Sequence, residues 1–312
     1  MSASSVSGSA PGESNPLRGS SSSQESRSPR ENRVLREESE HGWWELTSRE
    51  PHESLRGLVR RYVGYREWSA VPVRRREVPT GDVSLIASFG PRIEVRDEHD
   101  PGLVRHRLTS FVVPVDDAWA VTEYTGEQHG VEITLTPPAA GRLLGVPLHQ
   151  LAEQVLELED VLGVEGRLLV ERLADAADWS ACFDVLDTVL PDLLMRGREP
   201  SPAASWAWRR LWATGGRVPI GALVDELGCS HRYLLSEFRR HVGVRPKTLA
   251  RVLRCQMAIR LLDSGQSLPE VAVRCGYADQ AHLNLDFRRI TGLSGRLATS
   301  GTGSTALALT GP

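Results

Sequence analysis

The side chains that could do chemistry in a recognisable arrangement are arginines. Two runs, Phe238-Arg239-Arg240-His241-Val242-Gly243 and Phe287-Arg288-Arg289-Ile290-Thr291-Gly292, each set a guanidinium pair between a phenylalanine and a glycine. A guanidinium offers five N–H donors in a rigid planar fork and stays charged, so it suits phosphate oxygens and the edge of guanine. The surrounding charge agrees. Residues 205–296 carry 15 Arg and Lys against 7 Asp and Glu, whereas the rest of the chain carries 22 against 33, hidden in a net charge of -3. A basic region on an otherwise acidic chain is expected of a phosphate-binding module.

Other chemistries have less support. Cys182, Cys229, Cys255 and Cys275 form no CxxC pair, and small buried thiols are the commoner role. Cys229 and His231 lack a second ligand pair, so no metal is assigned. Glu127 and His129, in a stretch bounded by Gly126 and Gly130, could hold a metal or an effector, but a polar strand connection is the simpler expectation. Trp43, Trp44, Trp68 and Trp119 could line an aromatic pocket, although aromatic residues more often build core. No GxSxG elbow, P-loop or strand-linked GxGxxG is present, so no catalytic residue and no cofactor is assigned.

The elements that must position the arginines form an internal repeat. Ile220, Leu223, Val224 and Leu227 recur at helical spacing, as do Leu268, Val271, Ala272 and Cys275. Gly228 or Gly276 follows, then a helix N-cap residue, Ser230 or Asp279. Leu234 and Phe238 in the next helix match Leu283 and Phe287, and Ser267 with Glu270 has capping-box spacing. Each copy therefore predicts a helix-turn-helix unit. With Leu234, Phe238 and His241 inward, Arg232, Ser236 and Arg239 lie opposite, flanked by His231 at the start and by Tyr233, Leu235 and Arg240. The second copy presents Ala281, Leu285 and Arg288 there, flanked by His282, Asn284 and Arg289, with Gln280 beside the cap. Arg232 is expected to contact guanine and Gln280 adenine, and the arginine pairs phosphates. Residues 249–262 predict a long connecting helix that would set the units in successive major grooves.

The remainder predicts an α+β domain, β-rich first and helical afterwards, ahead of an all-α double helix-turn-helix domain. The expected organisation is a disordered tail over 1–40, rich in serine; an α+β sensor or dimerisation domain over 41–196; a linker over 197–204; the DNA-binding domain over 205–298; and a flexible tail over 299–312. Short strands are expected at 83–89, 92–96, 108–113, 118–124 and 130–135, an amphipathic helix over 55–62, and further helices within 139–194. No run reaches 18 apolar residues and no apolar leader follows Met1, so a cytoplasmic chain without membrane contact is expected.

Over roughly residues 218–294 these features resemble the AraC/XylS family of transcription regulators. The resemblance is carried by Leu227-Gly-Cys-Ser-His-Arg-Tyr-Leu234 and, more specifically, by Leu268-Pro-Glu-Val-Ala-Val-Arg-Cys-Gly-Tyr-Ala-Asp-Gln280. Upstream, Gly126-Glu-Gln-His-Gly130, Leu143-Leu-Gly-Val-Pro147 and Trp206-Ala-Trp-Arg-Arg-Leu211 look like an actinobacterial subgroup with a poorly characterised N-terminal domain. The resemblance implies a non-enzymatic regulator that activates or represses promoters. Its partners would be double-stranded DNA, with RNA polymerase, a small-molecule effector and a second copy as further candidates. The chain departs from the family pattern at Ser294-Gly295, at Cys255, and at Leu285-Asp286, where a carboxylate near phosphates would weaken the second unit or have it read a different base pattern. Two alternatives compete: a DNA-directed enzyme such as a methyl-transfer repair protein, for which Cys182 is a poor nucleophile, and a non-specific DNA binder.

Overall fold

The computed structural model describes residues 32–97, 100, 102–151 and 155–293. The expected tail over 299–312 and most of the serine-rich tail lie outside them. Its N-terminal part is an antiparallel sheet in the order β1 (Arg33–Ser39), β2 (Gly42–Arg49), β3 (Val59–Glu77), β8 (Ala120–Leu135), β4 (Val83–Ser88), β7 (Phe111–Val113), β9 (Leu156–Glu157). The pair β5 (Ile93–Arg96) and β6 (Val104–Leu108) joins the first half of β8 through β5.

Strand alternation gives this sheet two unlike faces. Tyr62, Leu85, Ala87, Val131, Ile133 and Leu135 share one face by register and are fully buried. Helices α1 (Pro137–Leu144), α3 (Val164–Ala174) and α4 (Trp179–Arg196) supply residues to the same core, α2 (Leu158–Leu162) closing the strand end. Phe183 of α4 stacks on Tyr62 at 5.7 Å, and the Trp179 ring occupies the space a side chain at Gly64 would need. Arg49 reaches across to Asp184 and Asp187 at 2.8 and 3.1 Å. The opposite face is polar: Glu67 pairs with Arg75, Thr122 Oγ1 donates to Glu77, and Ser84 Oγ donates to Glu132.

Several expectations are corrected here. Residues 55–62 are not a helix; a 3-10 turn, Glu53–Leu55, leads into β3. The β-branched and aromatic run Val59-Arg-Arg-Tyr-Val-Gly-Tyr65 fits a pleated strand, and its apolar spacing suits either period. Gly126 does not end a strand. It sits at φ +83° where β3 and β8 slip register between Ser69 and Val73, so two expected strands are one bent strand of 16 residues. Residues 108–113 instead split into the end of β6 and β7 at Thr109-Ser110, whose amides donate to Glu157. Finally, residues 33–39 are strand β1, not disordered tail; being an edge strand exposed along its length, it needs backbone pairing with β2 rather than apolar burial.

The C-terminal part is all helical: α5 (Pro202–Ala213), α6 (Ile220–Leu227), α7 (His231–Val242), α8 (Pro246–Asp263), α9 (Leu268–Arg274) and α10 (Gln280–Thr291). The expected linker is shorter than 197–204, since Ser201 caps α5 and Pro202 starts it. Among the described residues no helix is long and apolar enough to cross a membrane.

Candidate nucleic-acid interface

Each helix pair is built as its sequence requires. Gly228 takes the left-handed conformation at the end of α6, which an L side chain resists, and the chain turns at once into α7. Ser230 Oγ accepts the Tyr233 amide at 3.2 Å, while Asp279 Oδ1 accepts the His282 amide at 2.7 Å, so both second helices are capped as expected. Ser267 and Glu270 close a reciprocal capping box at the start of α9. The connecting helix α8 has 18 residues and is therefore about 27 Å long.

Burial fixes which faces are free. Leu234, Phe238 and Val242 of α7, and Leu283, Phe287 and Ile290 of α10, are buried. On the opposite side of α7, His231, Arg232, Tyr233, Ser236, Arg239 and Arg240 are exposed, and Leu235 is half-buried. On α10 the exposed set is Ala281, His282, Leu285, Arg288 and Arg289, with Gln280 and Asn284 half-buried. The sequence-predicted residues thus fall on one face of each capped helix. The two faces differ in chemistry: the position of Ser236 is taken in the second unit by Leu285, 70% exposed.

Asp286 does not face solvent as the sequence suggested. It is buried, 3.5 Å from Arg254 of α8 and 3.9 Å from His282, and Arg254 in turn lies over the Tyr277 ring at 5.0 Å. Helical phase puts it on the same inward side as Glu237 in the first unit, so its carboxylate sits beside Arg254 rather than on the outer ridge.

No sequence pattern pointed to Asp117 or to its pairing with the C-terminal helices. Asp117, in the loop between β7 and β8, ion-pairs with Arg251 of α8 and lies 3.3 Å from Arg289 of α10. Burial, and next the neighbouring Arg289, push the Arg251 guanidinium below its ordinary value. In the N-terminal part, Glu127 is bound to Arg66 across the strands at 3.2 Å rather than held for a ligand. His129 instead packs edge-on against Phe89 at 5.7 Å. His129 and Phe89 line an open groove of about 390 Å³ with Leu173, Trp179, Cys182, Glu45 and Arg66. Trp43, Trp44, Trp68 and Trp119 lie outside this groove, Trp119 against Gly292 and the others on β2 and β3.

Residues 223–296 match the model of a helix-turn-helix domain family, and residues 47–157 match a domain family of unknown function. No curated protein matches the chain. Among solved structures, ToxT from Vibrio cholerae is similar at 12% identity over 78% of this chain and 98% of that one, with a TM-score of 0.43. A probable AraC family transcriptional regulator from Rhodopseudomonas palustris is 26% identical over 32% of this chain and 95% of its own, with a TM-score of 0.30. The C-terminal domain of AraT, a response regulator from Geobacillus stearothermophilus, is 22% identical over 32% and 84%, also at 0.30. With two capped helix pairs, an exposed cationic face and the matching family model on the same residues, the C-terminal part is a helix-turn-helix domain of the AraC type, and the protein is a DNA-binding transcription regulator that carries it behind a domain of a family whose function is unknown.

Proposed function

We propose that both recognition helices, α7 and α10, read one promoter duplex, and that the N-terminal domain couples this to a small effector. The observation that carries the DNA contact is the split of α7: its inner face is sealed in core while Arg232, Ser236, Arg239 and Arg240 stand exposed along one ridge. In this reading Arg232 meets guanine at the N-terminal end of the helix, and Arg239 with Arg240 meet phosphates. On α10, Gln280 meets adenine, Ala281 and Leu285 give apolar contact to thymine methyl groups, and Arg288 with Arg289 take phosphates; His231, Tyr233, Leu235, His282 and Asn284 flank the two ridges. The helix α8, about 27 Å long, sets the units apart on the scale of one helical turn of DNA, about 34 Å. Chromatin immunoprecipitation with sequencing supplies the site. Binding to that site is then compared with binding to random DNA at about 150 mM salt, where equal affinities would refute sequence-specific reading.

The effector belongs in the groove between the sheet and the turn joining α3 to α4. Its volume of about 390 Å³ lies in the range of small-molecule sites. Phe89, Leu173 and Trp179 give it an apolar wall, and the His129 Nδ1 atom is buried without a hydrogen-bond partner among the described residues. That combination suits a ligand with an apolar body and one hydrogen-bonding end. Replacing Trp179 with alanine should abolish any ligand-dependent change in promoter affinity while leaving unliganded affinity within about twofold, read by anisotropy titration. If W179A still responds to the ligand, the groove is not the effector site. RNA polymerase is the candidate protein partner at the promoter. A second copy could pair along the open edge of β1, which sedimentation measurements decide. The work of such a regulator is cytoplasmic. An enzymatic reading has no support at Cys182, whose thiol is buried and pushed up to about 12 by desolvation, out of the range of a reactive thiolate.

A further inference from the structure

Arg289 has two claims on it. Its place at the C-terminal end of α10 matches that of Arg240 in α7, which has no ion-pair partner among the described residues. Arg289 is held instead by Asp117, an N-terminal-domain carboxylate only 15% exposed, which also pairs with Arg251. The contact is built from both sides. Trp119, two residues on, sits against Gly292 at the end of α10; a side chain there would meet the indole ring at 2.4 Å, and Gly292 also needs its φ of +68°. Arg76 lies over the other part of this corner, 4.5 Å from the Trp119 ring centre. Beside it, Gln256 of α8 donates to the Pro79 carbonyl at 2.6 Å. The loops at residues 78–82 and 114–119 therefore hold α8 and α10 through a mix of ion pairs, a hydrogen bond and apolar contact.

The Asp117 carboxylate meets both guanidinium groups through one oxygen, Oδ2, and satisfies them with a single negative charge as one oxygen of a phosphate diester would. We propose that Asp117 is an intramolecular stand-in for a DNA phosphate, which the second helix-turn-helix unit must give up before Arg289 can take the duplex. The N-terminal domain thereby holds down the affinity of the second unit, and DNA binding releases the loop at 114–119. Because Arg289 is 59% exposed and its pairing is partly screened, the restraint is modest and reversible. The proposal rests on the reading of Arg289 as a phosphate contact, so its test separates the two.

The experiment measures promoter affinity of the full chain at about 150 mM salt for wild type, Asp117→Asn, Asp117→Glu, Arg289→Ala and the double variant D117N/R289A. D117N should tighten binding about threefold to tenfold, with D117E near wild type, because the isosteric amide removes only the charge. In the R289A background the same change should act less than about twofold. If R289A weakens binding but D117N leaves it unchanged or weaker, the stand-in role is refuted and the phosphate contact survives. If R289A alters neither affinity nor its salt dependence, the phosphate contact itself fails and takes the proposal with it. Wild-type protein gives a second measurement that needs no variant to fold. On saturation with DNA, amide hydrogen exchange at residues 115–119 should rise, and unchanged protection there overturns the release.

Discussion

The two helix-turn-helix units share their capping, their inward phenylalanine and their arginine pair, yet they are anchored by different forces. Leu223, Leu234, Phe238 and Val242 of the first unit belong to one apolar cluster with Leu85, Ile133 and Phe183 of the N-terminal domain. Gly243, just past α7, packs on Leu148 of the 3-10 turn Leu148–Gln150. The second unit keeps its own cluster around Cys255, Val271, Leu283, Phe287 and Ile290, with Val78 packed at its margin, and meets the N-terminal domain mainly through Asp117, Trp119 and Pro79. Buried apolar contact offers nothing that DNA could replace, whereas an ion pair can be exchanged for a phosphate. The first unit is thus a fixed platform and the second a part that can be let go.

The largest expected effect tests that difference in anchoring. Phe238→Ala and Phe287→Ala each remove a fully or almost fully buried ring, at a cost of about 3–5 kcal/mol. F238A should lower the main unfolding transition, because its cavity opens in the core that the two domains share. F287A should split off a separate, earlier transition confined to α9 and α10, with the sheet still folded. Calorimetry with hydrogen exchange reads both. A single cooperative transition for F287A would mean that the second unit is as firmly joined as the first.

Next comes the difference in how the units read bases. Arg232→Ala should weaken specific binding by about 1–3 kcal/mol and relax preference at one base pair, as expected for a lost bidentate contact. Leu285→Ala should cost less than about 1 kcal/mol, since an apolar contact to a thymine methyl leaves no polar group unpaired. Binding selection from a randomised duplex library measures both. An unchanged preference in R232A would move base reading away from α7, and an equal loss in L285A would erase the distinction between the units.

Much of this comparison was legible in the sequence because it rests on local rules. Ser230, Asp279 and the Ser267–Glu270 box cap helices wherever the chain puts them, and the spacing of Leu234 and Phe238 fixes the outward face without knowledge of what covers the inner one. The failures came where a distant partner decides. Residues 55–62 fit a helical period, but Val59 and Tyr62 are strand residues because β8 pairs with them. Residues 33–39 have the composition of a tail and become a strand because β2 offers an edge. Asp286 looks like a carboxylate on the DNA face until Arg254, 32 residues earlier, is seen to draw it inward. Asp117 lies 134 residues from Arg251, and no spacing rule reaches that far. The groove gave half a signal: His129 was singled out, but its walls come from Phe89 and from Trp179 on α4.

A change of pH separates the anchors again. Where α5 meets the sheet, Arg60 lies 4.1 Å from the Trp212 ring centre and 3.4 Å from Asp82, with Arg61 the other cation acting on that carboxylate. Burial outweighs both cations and raises the Asp82 carboxyl to about 7. Between about pH 4 and 7 the folded chain therefore binds a proton that the unfolded chain has already released. Stability from this group is full below that window and is lost as pH rises through it. From pH 5 to 8, wild type should lose about 2–3 kcal/mol relative to Asp82→Asn in denaturant titrations. Because α5 packs on α7, the loosening should appear as faster amide exchange in α5 and α7 and leave α9 and α10 unchanged. Were exchange in α10 to follow the same pH profile, the two units would share one anchor, and the platform could not be told apart from the part it releases.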